Sequence, residues 1–460
     1  MTPTTSHLTS FAQSMAFLAA LSAVTVTGPL LSASPADAGQ FYVSPAGNDA
    51  NPGTQNAPWR TIGKAASTLI AGDTAILMDG TYTEPEIPFK NSGTATMPIT
   101  VRAQNKHQAI LSSTSGCHPN ISIYASYVTI EDIRSIIAPS NVPCAEGHNS
   151  ADGTGVVCWE GIPPHPANPS TTYRNCVVRG LRIDASSARS HAVKTRQDYA
   201  LVENCEVYMG LEAFNSYGAV FRNNVIHGAD AWGNPLLAKG GARNFEAYNN
   251  VVHIPRGGES GIILGGATGN QFLYDPPSGI EAYNSIAYNN VVLNETGGSV
   301  TALHLRGAKD SAAFNNVVIG GSLALSSGPA GVDPINPTFK NNILSCSGKV
   351  ATGSWNYTGT LSVDYNNFYN CSGPPSQTHP ITGDPLLINP RSDWHLASGS
   401  PAIQSGTTIT VSGFKGETLM VNKDKDGNVR SAPWSLGIYA TNAVSPDTAL
   451  PASPINLRVQ

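Results

Sequence analysis

The sequence predicts an all-β fold, a single-stranded right-handed parallel β-helix. Three observations carry this. The 460 residues include 45 Gly, 33 Pro and 37 Asn, with only 12% charged residues, a composition suited to many short strands and turns. A motif recurs: FRNNVI from Phe221, AYNNVV from Ala247, AYNNVV from Ala287, AFNNVV from Ala313, FKNNIL from Phe339 and DYNNFY from Asp364. The second Asn of each copy is spaced by 26, 40, 26, 26 and 25 residues. Repetition at such a period marks a solenoid. Finally, each copy carries short apolar stretches, too brief for paired helices. Asn accepts the left-handed backbone of a tight turn between strands. Stacked copies place the Asn amides in a ladder, on coils about 4.8 Å apart.

Taken from the N-terminus, residues 15–31 are apolar, and Ala36-Asp37-Ala38 follows as an A-x-A pattern. This reads as a secretory signal cleaved after Ala38, with a secreted or periplasmic mature protein that has no membrane contact. Residues 59–70 have the spacing of a short amphipathic helix. Asn175-Cys176 and Asn204-Cys205 read as earlier copies of the motif. The 40-residue interval holds an inserted loop at 268–279, and 139–171 is a longer insertion; both are expected beside a cleft. Residues 262–269 are Gly-rich but lack a phosphate-loop context, and read as a tight coil.

Seven Cys suit an oxidising compartment. Cys346 and Cys371 each lie four residues after a repeat Asn (342 and 367), so they stack on adjacent coils and suit a bridge. Cys144 and Cys158 flank a loop and form a second candidate pair, with Cys176 and Cys205 as buried thiols in the ladder column. No C-x-x-C pair points to a Cys metal site.

The net charge of −5 and the 26 Lys and Arg argue against nucleic acid as a partner. Coiled coils and disorder are excluded by the same composition.

The segments FYVSPAGND from Phe41, NPG from Asn51, PWRTI from Pro58, AGDT from Ala71, GTY from Gly80 and PITVRA from Pro98 resemble the start of secreted pectate-lyase-like β-helix proteins. DPL from Asp384, WHL from Trp394, GSPAI from Gly399, DGNVR from Asp426 and GIY from Gly437 resemble their closing part. The resemblance implies that the 59–70 helix caps the N-terminal end and that 384–440 closes the other. The organisation expected is a signal peptide at 1–38, the β-helix at 39–383, C-terminal coils and cap of the same domain at 384–440, and a flexible tail at 441–460. It also implies activity on carbohydrate, most often acidic. β-Elimination on a uronate needs a base, positive charge for the carboxylate and a proton donor.

Aligning the coils places Lys194, Lys239 and Arg306 in one basic column, with Arg196 and Arg243 nearby. Lys239 is the expected base. Its segment WGNPLLAKGG from Trp232 is similar to the lysine segment of a calcium-dependent pectate lyase family, and Gly240-Gly241 would let substrate approach. Lys194 is similar to the lysine of the alginate and chondroitin lyase group, with Asn215 where that group has Arg. Lys194 and Arg243 complete the catalytic set; Arg196, Arg306, Trp232, Asn215 and His304 form the binding set. His191 and His304 read singly as surface residues, and Trp159, like Trp232, as a sugar-stacking or packing ring. A glycosidase alternative uses Glu212 and Asp230; Glu259 is a further acid. The resemblance suggests calcium, yet the sequence carries no evident ligand cluster for it, and the metal is left unknown. A third alternative is a non-catalytic glycan-binding or envelope protein. The expected partner is an acidic polysaccharide and the expected state a monomer.

Overall fold

The computed structural model describes residues 38–113, 118–137, 153–160, 173–185, 191–228 and 234–440. The expected signal peptide and tail, and most of the 139–171 insertion, lie outside the described residues. Three parallel sheets run the length of the solenoid, with twelve, ten and eleven strands among the described residues. One coil illustrates the winding. Val193–Thr195 lies in the ten-stranded sheet, Leu201–Glu203 in the twelve-stranded and Glu206–Val207 in the eleven-stranded, and Leu211–Phe214 then rejoins the ten-stranded sheet. The fold is a right-handed parallel β-helix, as the sequence predicts.

Alternation explains the core. In Val177–Arg179 and its neighbours the middle residue points inward, so Val178, Val202 and Phe221 align across adjacent coils and are fully buried. The Asn ladder forms at the next turn. Asn223, Asn249, Asn289, Asn315 and Asn341 take positive φ, which Asn tolerates. The following Asn turns inward. Asn250 Nδ2 donates to Phe221 O at 2.9 Å and to Asn290 Oδ1 at 2.9 Å, while Asn290 Oδ1 also accepts Asn250 N at 3.0 Å. Each buried amide is thereby satisfied.

The last rung departs from the sequence motif. Tyr365 takes the left-handed position, and Asn366, not Asn367, accepts from Asn342 Nδ2 at 2.9 Å. Gln377 ends the ladder, its Oε1 accepting Asn366 N at 2.8 Å.

The N-terminal helix forms at Ile62–Thr68 and buries Ile62, Ala65 and Ala66. Thr61 Oγ1 accepts Lys64 N at 3.0 Å as the N-cap. Glu84 accepts Ile62 N at 2.7 Å and Gly63 N at 2.9 Å, so two more unpaired helix donors are satisfied.

The C-terminal segment runs back along the outside rather than closing the end. Leu396, Ala402, Leu436 and Ile438 pack on the outward Val291, Val317 and Ile343 of the eleven-stranded sheet. Val411, Val421 and Trp434 pack on Ile286, Tyr288 and Phe314 of the twelve-stranded sheet. Apolar residues on the outer faces of these strands need cover, and this strap supplies it. The end itself is met by the stretch around Gln377 and Ile381, which bonds to Asn366.

Cys346–Cys371 is a disulfide with Cα atoms 4.8 Å apart, as expected. The second bridge is Cys158–Cys176, with Cα atoms 6.2 Å apart. This corrects the reading of Cys176 as a thiol and of Cys158 as the partner of Cys144, which lies outside the described residues. Both side chains face the core of one coil. Cys205 is a buried free thiol, pushed up to about 12 by burial.

Candidate active site

The outer face of the ten-stranded sheet carries the predicted basic residues. Strand register fixes where each lies. Lys194 faces Glu212, and Glu212 faces Leu237 on the next strand. Lys239 stands one column over, opposite Phe214. Gly265 and Arg306 pair further along. The basic residues therefore occupy two adjacent columns, not one. His191, Lys194, Glu212, Asn234, Lys239, Gly266 and Arg306 line a cleft of about 500 Å³.

Glu212 is the centre of the cluster. Its carboxylate is fully buried. Lys194 Nζ is 2.8 Å from Oε1, Lys239 Nζ is 3.0 Å from Oε2, and His191 Nε2 is 3.4 Å from Oε2. Burial alone raises the Glu212 carboxyl, but Lys194, His191 and Lys239 outweigh it and hold it well below the usual range. Burial lowers the Lys194 ammonium below the ordinary lysine range, with Glu212 only partly opposing and Arg196 and Lys239 adding to the shift. Lys239 is the more accessible lysine, at 19% side-chain exposure against 4% for Lys194. Two ammonium groups thus share one carboxylate, which balances only one of their two charges.

This geometry changes the role of Glu212. A general acid needs a raised pKa and contact with the leaving oxygen. Glu212 is held ionised, so of the two places in a glycosidase pair it suits the base or nucleophile and not the acid. Asp230 and Trp232 lie outside the described residues. His191 is 1% exposed, not a surface residue; it backs Glu212.

Arg243 sits elsewhere. It is 5% exposed, donates to Asn215 O at 3.0 Å and stacks 3.7 Å over the Tyr274 ring. Asn215, at a left-handed turn, serves through that carbonyl. Glu259 is taken up by Arg256 at 3.0 Å. Gly240 and Gly241 are packed rather than open: a Cβ would meet the Phe214 ring at 2.9 Å and Tyr274 at 2.4 Å. Glu281, unremarked in the sequence, fixes this loop by accepting Gly240 N at 3.1 Å and Thr268 N at 2.6 Å. The glycines that matter to the cleft are Gly265 and Gly266. A Cβ on Gly266 would meet Lys239 Cβ at 2.7 Å.

Arg196 lies two coils before Lys239. Its Nε is 2.8 Å from Glu160, an ionic contact too bent to count as a hydrogen bond. The guanidinium stands 4.7 Å from the Phe214 ring and 5.7 Å from that of Trp159. Trp159 stacks its other face on Tyr124, centroids 5.8 Å apart, so its faces serve packing. His304 lies one column over from Arg306. Its Nε2 bonds Ser326 Oγ at 2.8 Å, and burial with Arg306 pushes it down to about 4, so it is neutral near pH 7. Among the described residues no group of three His, Cys, Asp or Glu side chains suits a metal. The described part of the cleft offers only Glu212, already engaged by two lysines, so a resident calcium does not fit there.

The sequence matches the Pel9A-like right-handed β-helix region over residues 41–299, more than half of the chain. The chain belongs to the Pel9A-like β-helix family. Among solved structures, XylC in complex with xylose aligns with a TM-score of 0.54 at 10% identity, covering 88% of this chain and 98% of that one. Pectate lyase Pel9A aligns with a TM-score of 0.50 at 15% identity, covering 88% and 96%. At such identities the likeness is one of fold. Curated relatives match over shorter stretches. Pectate lyase PEL9 of Emericella nidulans is 40% identical over 75 residues, 16% of this chain and 18% of its own. Uncharacterized protein YwoF of Bacillus subtilis (strain 168) is 28% identical over 151 residues, 33% and 31%. The matched stretches thus span under a third of either curated relative. Among the described residues of this Pel9A-like chain, no helix is long and apolar enough to cross a membrane. The two disulfides among the described residues suit an oxidising compartment.

Proposed function

We propose that this protein is a secreted polysaccharide lyase that cleaves a uronate-containing polymer by β-elimination. The observation that carries the reading is the cluster in which Lys194 and Lys239 share the one buried carboxylate of Glu212. The polymer lies along the outer face of the ten-stranded sheet. Lys239, the accessible lysine, takes the proton from C5 of a uronate. The C5–H electron pair then forms the C4–C5 double bond, and the C4–O bond to the neighbouring sugar breaks, its electrons staying on the leaving oxygen, which takes a proton from water. Lys194 beneath and Arg306 further along supply positive charge for carboxylates of the polymer. Glu212 and His191 hold the lysines in place. The reading uses the protein's own cations for this charge.

The test incubates the protein with a panel of acidic polysaccharides, with calcium and with chelator. Ultraviolet absorbance of unsaturated uronates is followed beside new reducing ends. Absorbance and reducing ends that rise together in chelator support the reading in full. A strict calcium requirement would sink the part assigned to Lys194 and Arg306. Reducing ends without absorbance would indicate hydrolysis, and binding without either product a non-catalytic glycan-binding protein.

A further inference from the structure

The column that holds Lys239 reads, from strand to strand, Arg196, Phe214, Lys239, Gly265 and Arg306. Arg196 follows Thr195, which pairs with Ala213, so it lies opposite Phe214. Lys239 is thus two strands from each arginine, about 10 Å along the axis on either side at ordinary strand spacing. The residues between are uncharged, a Phe on one side and a Gly on the other.

Both arginines are fixed and point outward. Arg196 is held between the rings of Phe214 and Trp159 and anchored at Nε by Glu160, which leaves its outer edge for a ligand. Arg306 Nε donates to Ser327 O at 3.3 Å, and no carboxylate among the described residues lies within ion-pair distance of it. Gly265 puts no side chain between Lys239 and Arg306, and its position admits none: its φ is +105°, and a Cβ there would meet the Arg306 backbone O at 1.8 Å.

An extended pyranose chain advances by roughly one strand spacing, about 5 Å, per residue. In a two-fold ribbon, alternate residues present the same face. We infer that Arg196 and Arg306 bind the carboxylates of the sugars two residues to either side of the one beside Lys239. The ligand is therefore an extended uronan ribbon of about five residues, engaged on both sides of the scissile bond, and cleavage is internal. This deepens the reading above and rests on the cleft being a polysaccharide site.

The experiment measures binding of oligogalacturonates and oligomannuronates, two to eight residues long, by calorimetry. The full chain carries Lys239→Ala, so that no ligand is consumed. Affinity rises with length to about five residues and then levels for the oligomer that fits. Arg306→Gln weakens the pentamer about tenfold and leaves the dimer unchanged. Arg196→Gln weakens it less, since Glu160 already offsets part of its charge. Affinity that levels at two or three residues overturns the inference, as does an Arg306→Gln loss equal at every length. The length series on the parent chain stands even if Arg196→Gln fails to fold. Length-dependent binding by a protein that forms no unsaturated product leaves the arginine row standing and defeats the lyase. Cleavage without length dependence does the reverse.

Discussion

Two outer faces of the same solenoid use similar residues to opposite ends. On the twelve-stranded sheet, Glu131, Arg179, Glu203, Arg222 and Tyr248 follow one another in register. Arg179 meets Glu131 at 2.6 Å, Arg222 meets Glu203 at 2.6 Å, and Arg222 Nη1 reaches Tyr248 OH at 2.9 Å. Signs alternate, and each charge is answered by its neighbour. On the ten-stranded sheet, Lys194 and Lys239 share the carboxylate of Glu212, and Arg306 lines the same cleft with no carboxylate of its own among the described residues. Alternating charge at strand spacing makes a self-satisfied surface with little reason to bind a charged ligand. A surplus of one sign, partly buried, attracts the opposite charge.

The sharpest break of that comparison is in turnover. Lys239→Ala should lower the rate of unsaturated-product formation by about a thousandfold, while Arg179→Ala leaves it unchanged. Progress curves on the polymer identified above decide this. Equal rates in the two variants would place the chemistry outside the cluster.

Stability separates the faces next. Glu212→Ala leaves the buried Lys194 and the partly exposed Lys239 without their counter-charge and should cost about 3–5 kcal/mol, read from urea midpoints. The pH dependence has a definite sign. The folded carboxyl of Glu212 is held well below its ordinary value, so the unfolded chain binds its proton first as pH falls. Its contribution is complete above roughly pH 5 and is lost as pH drops below about 4 toward the folded value. The variant should lack that component of acid unfolding. A parallel acid limb in both proteins would show that the carboxylate is not what ties the lysines down.

The sequence was more informative about the scaffold than about these side chains. The Asn-Asn motif carries both a backbone requirement and a ladder, so coils are visible wherever it occurs. It misleads by one residue only at the last rung, where Tyr365 takes the left-handed turn. Columns on the outer face are harder to read because coils differ in length. Lys194 to Glu212 spans 18 residues, Glu212 to Leu237 spans 25 and Ile263 to His304 spans 41. Counting alone therefore puts Lys194 and Lys239 in one column and Glu212 apart from them. Long lysine stems then bring charges from different columns together, which no periodicity encodes. The strap was illegible for a related reason. Its apolar residues are sparse and aperiodic, and only the outer faces of distant coils explain them.

The smallest effect sharpens the comparison furthest. Arg179 is 43% exposed in its side chain, and exposed ion pairs contribute about 1 kcal/mol or less. Arg179→Ala should therefore move the urea midpoint slightly at low salt. In about 1 M salt, where charges are screened within about 3 Å, the difference should vanish. Glu212 and Lys194 are buried from solvent, so most of the cost of Glu212→Ala should persist in the same salt. Unfolding midpoints of the three proteins at both ionic strengths measure this directly. A salt-resistant loss in Arg179→Ala, comparable to that of Glu212→Ala, would mean that the alternating row is as buried in effect as the cleft. The two faces would then differ in sign balance alone, and the surplus charge of the cleft would have to carry the whole distinction between them.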